Sequence, residues 1–256
     1  MARAIAVVNQ KGGVGKTTTV LNPGAALAGR NRRVLLLDLD PQECLTGALK
    51  VPSPEDGRSM HEVLTAGLDI TQTLREVPGS TLFSSLTLVP AGPDLAEAEV
   101  RLIGEAGGQM VLREAIEGLA RRYDYILIDC PPSLSVLTLN ALVAAREVLI
   151  PVQCEYFALR RLPAMLRTVE KVRKRINRNL AVLGVLPTMF AHTLHSREAL
   201  DFILKTMREQ TVHVFAAIPR TVKLQDGAAG GMPILELARE SDAASAYSAL
   251  AKEIDA

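Results

Sequence analysis

The stretch NQKGGVGKTTT, Asn9 to Thr19, sets two lysines, Lys11 and Lys16, around the glycines Gly12, Gly13 and Gly15. This composition suits a phosphate cradle. The glycines let backbone N–H groups turn inward without a Cβ in the way. A helix starting near Thr17 puts its partial positive charge where phosphates would sit. Lys16 can reach β- and γ-phosphates, and the Thr17 hydroxyl can ligate Mg2+. Val14 and Thr18 fill out the loop. The strict spacing G-x-x-x-x-G-K-[ST] is met only at its end, because Gln10 stands where the first glycine belongs. The bland reading is a glycine turn with a chance Gly-Lys-Thr; an apolar strand before it and a helical pattern after it speak against that. Lys11 is the surplus cation. Beside Lys16 it adds repulsion within one chain, and it becomes favourable when a triphosphate supplies negative charge. Its alternative is a solvated surface lysine.

Three carboxylates accompany the loop. Asp38 and Asp40 close the run RVLLLDLD; two residues apart, they share one face of a regular strand. Either could instead cap the following Asp-Pro-Gln turn, a reading that suits Asp38 better than Asp40. Asp129 ends YDYILID. An aspartate after an apolar strand is where phosphate-loop enzymes hold Mg2+, directly or through water.

These groups need a frame. Apolar runs at 4–9, 33–40, 86–91, 123–129, 147–152 and 180–188 read as strands covered on both faces. Helical stretches alternate with them: 17–29, 108–122, 134–145, 159–176, 196–210 and 242–254. The expectation is an α/β doubly wound, mostly parallel sheet with helices on both faces, in one domain over 1–256. A loop–helix–loop excursion is expected around 52–81, which is rich in Pro, Gly, Ser and charge. Among 256 residues, 48% are hydrophobic and 22% charged, so a sizeable core can form. A net charge of +1 gives no global field toward DNA or an anionic membrane. Cys44, Cys130 and Cys154 are far apart and odd in number, which argues for a reducing compartment and against a disulfide framework or zinc site. The N-terminus reads as a strand, and no apolar run approaches the roughly 18 residues of a membrane span. A cytoplasmic protein is expected.

The motif KGGVGKTTT resembles the deviant phosphate loop of the ParA/MinD superfamily of dimerising ATPases. LLLDLDPQ (35–42), YDYILIDCPPSLSVLTLNAL (123–142), VLIPVQCEYFAL (148–159) and IPRTVKLQD (218–226) resemble, in order, successive blocks of its ParA/Soj chromosome- and plasmid-partitioning branch. The resemblance implies a Mg2+-dependent ATPase, slow by itself, whose ATP-bound homodimer binds double-stranded DNA non-specifically. Hydrolysis, stimulated by a ParB-type centromere-binding partner, would dissolve the dimer, and the protein would be nucleoid-associated. It implies that Lys11 touches the nucleotide of the other subunit, that Asp40 positions the attacking water, and that Asp38 supports the switch region. It also implies that the loop Ile218-Pro219-Arg220 packs on adenine, with backbone groups near Arg220 and Thr221 reading the base edge. ATP is favoured because the guanine-specific N-K-x-D pattern is absent from the sequence.

Cys130, Pro131, Pro132 and Ser133 look like the second switch turn, and Cys130 reads as packing rather than a redox group. Two departures from the family stand out. DPQECLT replaces the usual DPQG-N-A-T, so Glu43 takes a glycine position, Cys44 an asparagine position and Leu45 an alanine position. Pro23-Gly24 replaces Leu-Ala inside the first helix. A proline there costs about 3 kcal/mol, so a kink or an early helix end is expected. For DNA, the family's location points to the C-terminal third, and Arg197, Arg220 and Lys223 are the candidates. The run RTVEKVRKRINRN (167–179) reads more simply as a solvated helix face. The alternative function is a MinD-like regulator acting at a membrane or on a protein. The acidic, short ending YSALAKEIDA differs from the cation-rich amphipathic helix of such relatives, so no membrane partner is expected.

Overall fold

The computed structural model describes residues 2–54, 56–77, 85–155 and 162–256. All six expected strands are present: β1 (Arg3–Val7), β2 (Val34–Asp38), β4 (Leu86–Val89), β5 (Tyr125–Asp129), β6 (Glu147–Gln153) and β7 (Ala181–Thr188). A two-residue strand, β3 (Arg75–Glu76), joins them at one edge. The sheet order is β3-β4-β2-β5-β1-β6-β7, parallel throughout except for the antiparallel β3–β4 pair. Each parallel strand is a near-continuous apolar run because both faces are covered. Along β1, Ile5 and Val7 face a core shared with Val20 and Leu27. Ala4 and Ala6 face the opposite core, with Leu112, Leu137 and Val169. The two-residue period of a strand divides the chain between the layers.

The helices are α1 (Lys16–Ala28), α2 (Cys44–Ala48), α3 (Met60–Ala66), α4 (Leu95–Gly104), α5 (Val111–Glu117), α6 (Val136–Ala144), α7 (Leu162–Arg175), α8 (Leu194–Glu209), α9 (Lys223–Gly230), α10 (Ile234–Leu237) and α11 (Asp242–Ile254). None among the described residues is long and apolar enough to cross a membrane.

Register matters most for function. Asp38 is the parallel partner of Asp129, which in turn partners Val7. The C-terminal ends of β2, β5 and β1 therefore lie side by side, with Asp129 in the middle and the glycine loop leaving β1 directly beside it.

Two expectations need correction. The early end at Pro23 does not occur: α1 runs unbroken from Lys16 to Ala28. Tertiary burial outweighs the lost hydrogen bond, since Thr19 to Ala28 are all buried. Gly24 shows how. A Cβ there would sit 2.8 Å from Leu36 Cδ2, so the glycine lets α1 press against β2. Asn22 adds a tie, donating to the Thr18 carbonyl at 2.9 Å and accepting from the Ile234 N–H at 2.8 Å. The excursion is also more structured than loop–helix–loop. After α3, which Ser59 and Glu62 start with a capping box, come a 3-10 turn at Ile70–Thr73 and strand β3. Residues 78–81 of that stretch, and residues 159–161 of the expected helix 159–176, lie outside the described residues.

Candidate nucleotide-binding site

The loop from Asn9 to Lys16 is braced from two sides. The Asn9 amide donates to the Pro151 carbonyl at 2.7 Å, and its oxygen accepts the Lys11 N–H at 2.9 Å. From β7, the Thr188 hydroxyl donates to the Val14 carbonyl at 2.9 Å. Gly13 (φ 70°) and Gly15 (φ 88°) take left-handed conformations that side chains resist. A Cβ on Gly12 or Gly13 would meet nothing within 4 Å, so the loop is open above its backbone. The first bond of α1 runs from the Thr19 N–H to the Gly15 carbonyl at 2.9 Å. The N–H groups of Lys16, Thr17 and Thr18 precede it and have no place in the helix ladder. Gly15 caps α1 without a side chain. An anion can take that place.

Lys16 is buried, and its Nζ reaches back over the loop to the Lys11 carbonyl at 3.4 Å. Lys11 points elsewhere. Its Nζ donates to Gln153 Oε1 at 2.7 Å and to Glu155 Oε2 at 3.1 Å. It is neither a freely solvated lysine nor a direct neighbour competing with Lys16.

The three carboxylates differ in how far they are satisfied. Asp38 is fully buried. It accepts from the Asp40 N–H at 3.1 Å, the Thr46 N–H at 2.8 Å and the Thr46 hydroxyl at 2.7 Å. Burial pushes its carboxyl up to about 6, against the pull of the Thr46 bonds. The Thr46 hydroxyl in turn accepts the Ala91 N–H at 3.2 Å, so Asp38 clamps the segment after Asp40 onto the end of β4. Asp40 accepts the Gln42 N–H at 3.0 Å with one oxygen. It does cap its turn, as an aspartate in this position can, and the capping explanation thus holds for both residues without excluding a second use of Asp40. Asp129 has no hydrogen-bond partner for either buried oxygen among the described residues. Burial drives its carboxyl well above the usual range, with Asp38 pushing the same way. The neighbouring Thr17 hydroxyl, and then the Lys16 charge, pull it back down. An unsatisfied buried carboxylate is costly. A hard divalent cation between Asp129 and Thr17, both oxygen donors, would satisfy it.

Beside the loop lies a cavity of about 320 Å3. Gly15 and Thr18 form its phosphate side, Met189, Pro219 and Tyr247 its apolar walls, and Arg220 and Thr221 its rim. The expected base loop is therefore brought to the phosphate loop. One detail is corrected: the Arg220 N–H is already donated to the Phe190 carbonyl at 2.8 Å and cannot read a base. Met189 and Tyr247 were not anticipated. Tyr247 is the one aromatic on the buried face of an alanine-rich helix, a signal that marks a packing position and nothing more specific.

Arg197, Arg220 and Lys223 are all exposed. A bridge between Phe190 and Pro219 holds the segments leading into α8 and α9 together. On α7, Arg173 and Lys174 both pair with Glu170, at 2.7 and 3.3 Å, as a solvated face would. Glu43 adopts φ 52°, ψ 30°, a left-handed conformation. Cys44 beside it is exposed, and partial burial followed by the charges of Asp40, Asp129 and Asp38 raises its thiol. These influences disfavour the thiolate, the reactive form.

A family model described as an AAA domain matches residues 2–182. The chain is 40% identical over 257 residues to the sporulation initiation inhibitor protein Soj of Bacillus subtilis, covering 100% of this chain and 99% of that protein. It is 39% identical to the chromosome partitioning protein ParA of Myxococcus xanthus, covering 99% and 88%. Among solved structures, a Mycobacterium smegmatis protein named cobyrinic acid a,c-diamide synthase superposes with a TM-score of 0.83 at 41% identity, covering 98% of this chain and 93% of that one. It was crystallised with an ATP analogue and magnesium.

Proposed function

This chain belongs to the ParA/Soj family of chromosome-partitioning ATPases, and from that premise we propose a nucleotide-driven assembly switch. The protein hydrolyses ATP with Mg2+, slowly when alone. Its ATP form is a face-to-face homodimer that binds double-stranded DNA without sequence preference. A ParB-type partner accelerates hydrolysis and so dissolves the dimer, within a cytoplasmic, nucleoid-associated cycle. The observation that carries this reading is the meeting of three features at one end of the sheet. They are an open glycine loop at a free helix start, a buried carboxylate with neither oxygen satisfied among the described residues, and an adjacent cavity of about 320 Å3.

In this switch the work is divided among a few residues. Backbone N–H groups from Gly12 to Thr18 and the Lys16 ammonium bind the phosphates. Thr17 and Asp129 are the residues that would hold Mg2+, which when bound neutralises charge on the β- and γ-phosphate oxygens. Asp40 offers its second oxygen to orient water. Pro219, Arg220 and Thr221 border the base, and Lys11 crosses to the partner's nucleotide. Arg197, Arg220 and Lys223 supply phosphate contacts to DNA, doubled by the dimer.

Size-exclusion chromatography with ATP, with ADP and without nucleotide, repeated with short duplex DNA, tests the reading. A dimer confined to ATP that co-elutes with duplex is expected. A monomer that binds ATP yet never pairs would overturn it. Lys11→Ala is expected to keep ATP binding in the single subunit and lose the dimer; dimers persisting by light scattering would refute its trans role. Pelleting with anionic liposomes instead of DNA retention would favour a MinD-like action.

A further inference from the structure

Lys11 is more firmly held than a residue waiting for another subunit needs to be. Its Nζ donates to Gln153 at 2.7 Å and to Glu155 at 3.1 Å, while the Gln153 amide donates to the other Glu155 oxygen at 2.6 Å. The three side chains close a triangle. Local backbone builds it: the Glu155 N–H donates to the Gln153 carbonyl at 2.7 Å, and the Cys154 N–H to the Thr188 carbonyl at 3.0 Å. This tight turn at the end of β6 sets Gln153 and Glu155 side by side. At the other end, Asn9 fixes the Lys11 N–H. The choice left to the lysine is where its ammonium goes, and a neutral amide plus a carboxylate take it.

Gln153 and Glu155 also line the cavity that borders Pro219 and Arg220. The residues that hold the lysine are therefore wall residues of the space assigned to the base.

We propose that Gln153 and Glu155 form a cradle in cis that keeps Lys11 on its own subunit, and that the strength of this contact sets the protein concentration at which two ATP-loaded copies pair. The inference rests on Lys11 crossing between subunits, as argued above. Glu155 is then a positioning residue. It competes with the partner's phosphates for one ammonium. The side chains of Lys11 and Glu155 remain 32% and 52% exposed, so the hold is weak enough to be reversible. An exposed pair of this kind biases an equilibrium by about two- to fivefold, not by orders of magnitude.

Two measurements on the full chain test this. In nucleotide-free protein, the rate at which an amine-acylating reagent modifies Lys11, read by mass spectrometry, is expected to rise in Glu155→Gln and to stay near the parent rate in Glu155→Asp, which keeps the charge. With a saturating non-hydrolysable ATP analogue and Mg2+, the protein concentration for half-dimerisation is expected to fall by about four- to twenty-five-fold in Glu155→Gln, because each dimer releases two such contacts. An unchanged Lys11 acylation rate in Glu155→Gln would overturn the cradle itself. Faster acylation with an unchanged or higher dimerisation threshold would overturn its control of pairing, and would place Glu155 on the dimer's side of the equilibrium. If the parent never dimerises while its Lys11 acylation still responds to Glu155→Gln, the contact stands and the assembly reading is what fails.

Discussion

Glu43 occupies a position where the family usually has glycine, and its backbone explains the glycine. At φ 52° and ψ 30° the residue sits in the left-handed region, where an L side chain crowds the following carbonyl. That conformation costs roughly 1–2 kcal/mol for a non-glycine residue. Glu43→Gly removes the cost and gives back about 0.4–1 kcal/mol through the freer unfolded chain. The side chain adds little to the balance: its contact with the Ser53 hydroxyl is 3.3 Å long and exposed. The backbone bonds that define the turn, from the Glu43 N–H to the Asp40 carbonyl at 2.9 Å and from the Gly47 N–H to the Glu43 carbonyl at 2.8 Å, survive the change. The expected net is a stabilisation of about 0.5–1 kcal/mol, or a Tm rise of about 1–4 °C for a chain of this size. Urea titration and thermal melting of nucleotide-free protein measure it. Glu43→Ala is the control, since alanine loses the carboxylate but keeps the Cβ and hence the strain. If the glycine variant is no more stable than the alanine variant, the strain argument is wrong and the left-handed turn is held at no cost.

Asp40→Ala is expected to lower phosphate release at least about a hundredfold while ATP-loaded dimers accumulate; turnover at the parent rate would remove Asp40 from the chemistry. Arg220→Ala is expected to weaken retention on duplexes of any sequence, at saturating nucleotide. It should also reduce the slope of log affinity against log salt by about 1 per subunit, and an unchanged slope would move the DNA face elsewhere. Asp38→Asn is expected to flatten the pH dependence of stability in Mg2+-free protein. The folded pKa of about 6 lies above the ordinary 3.8, so the parent is more stable below pH ~4 and loses stability as pH rises through ~6. Two units correspond to about 3 kcal/mol as an upper bound. Urea midpoints that change equally with pH in parent and variant would show that Asp38 does not titrate in this window.

What could be read from the chain was local. Uninterrupted apolar runs gave the six parallel strands, because burial on both faces leaves no other pattern. The glycine loop and the strand-end aspartates were legible for the same reason, since each function sits where an element stops. What escaped depended on contacts distant in sequence. β3 is a pair of residues with no pattern of its own and exists only because β4 offers an edge. α1 survives Pro23 because of where it packs, which no propensity records. The partners of Lys11 lie at the end of β6, and the engagement of the Arg220 N–H comes from Phe190 on a neighbouring segment. Motif reading names the residues of a site; the tertiary fold decides which of their hydrogen-bonding groups are still free.

That last distinction separates the three carboxylates. All three lie at or just past the ends of β2 and β5, yet the fold gives each a different number of hydrogen-bond donors. Asp38 takes three donors, two of them from Thr46, and so acts as a clamp. It can accept little more without releasing the segment that carries Asp40. Asp40 takes one donor with one oxygen, which fixes its direction and leaves the other oxygen, the one we assign to the attacking water, without a donor among the described residues. Asp129 takes none among the described residues, although it is as fully buried as Asp38, at the end of the strand between β2 and β1. A buried carboxylate left this way costs stability on the order of a few kcal/mol unless a cation completes it. Thr17, in the first turn of α1 and next to Asp129, is the second oxygen donor proposed for that cation. The proposed parts of clamp, water-holder and cation ligand thus accord with one count, the donors each carboxylate already has among the described residues.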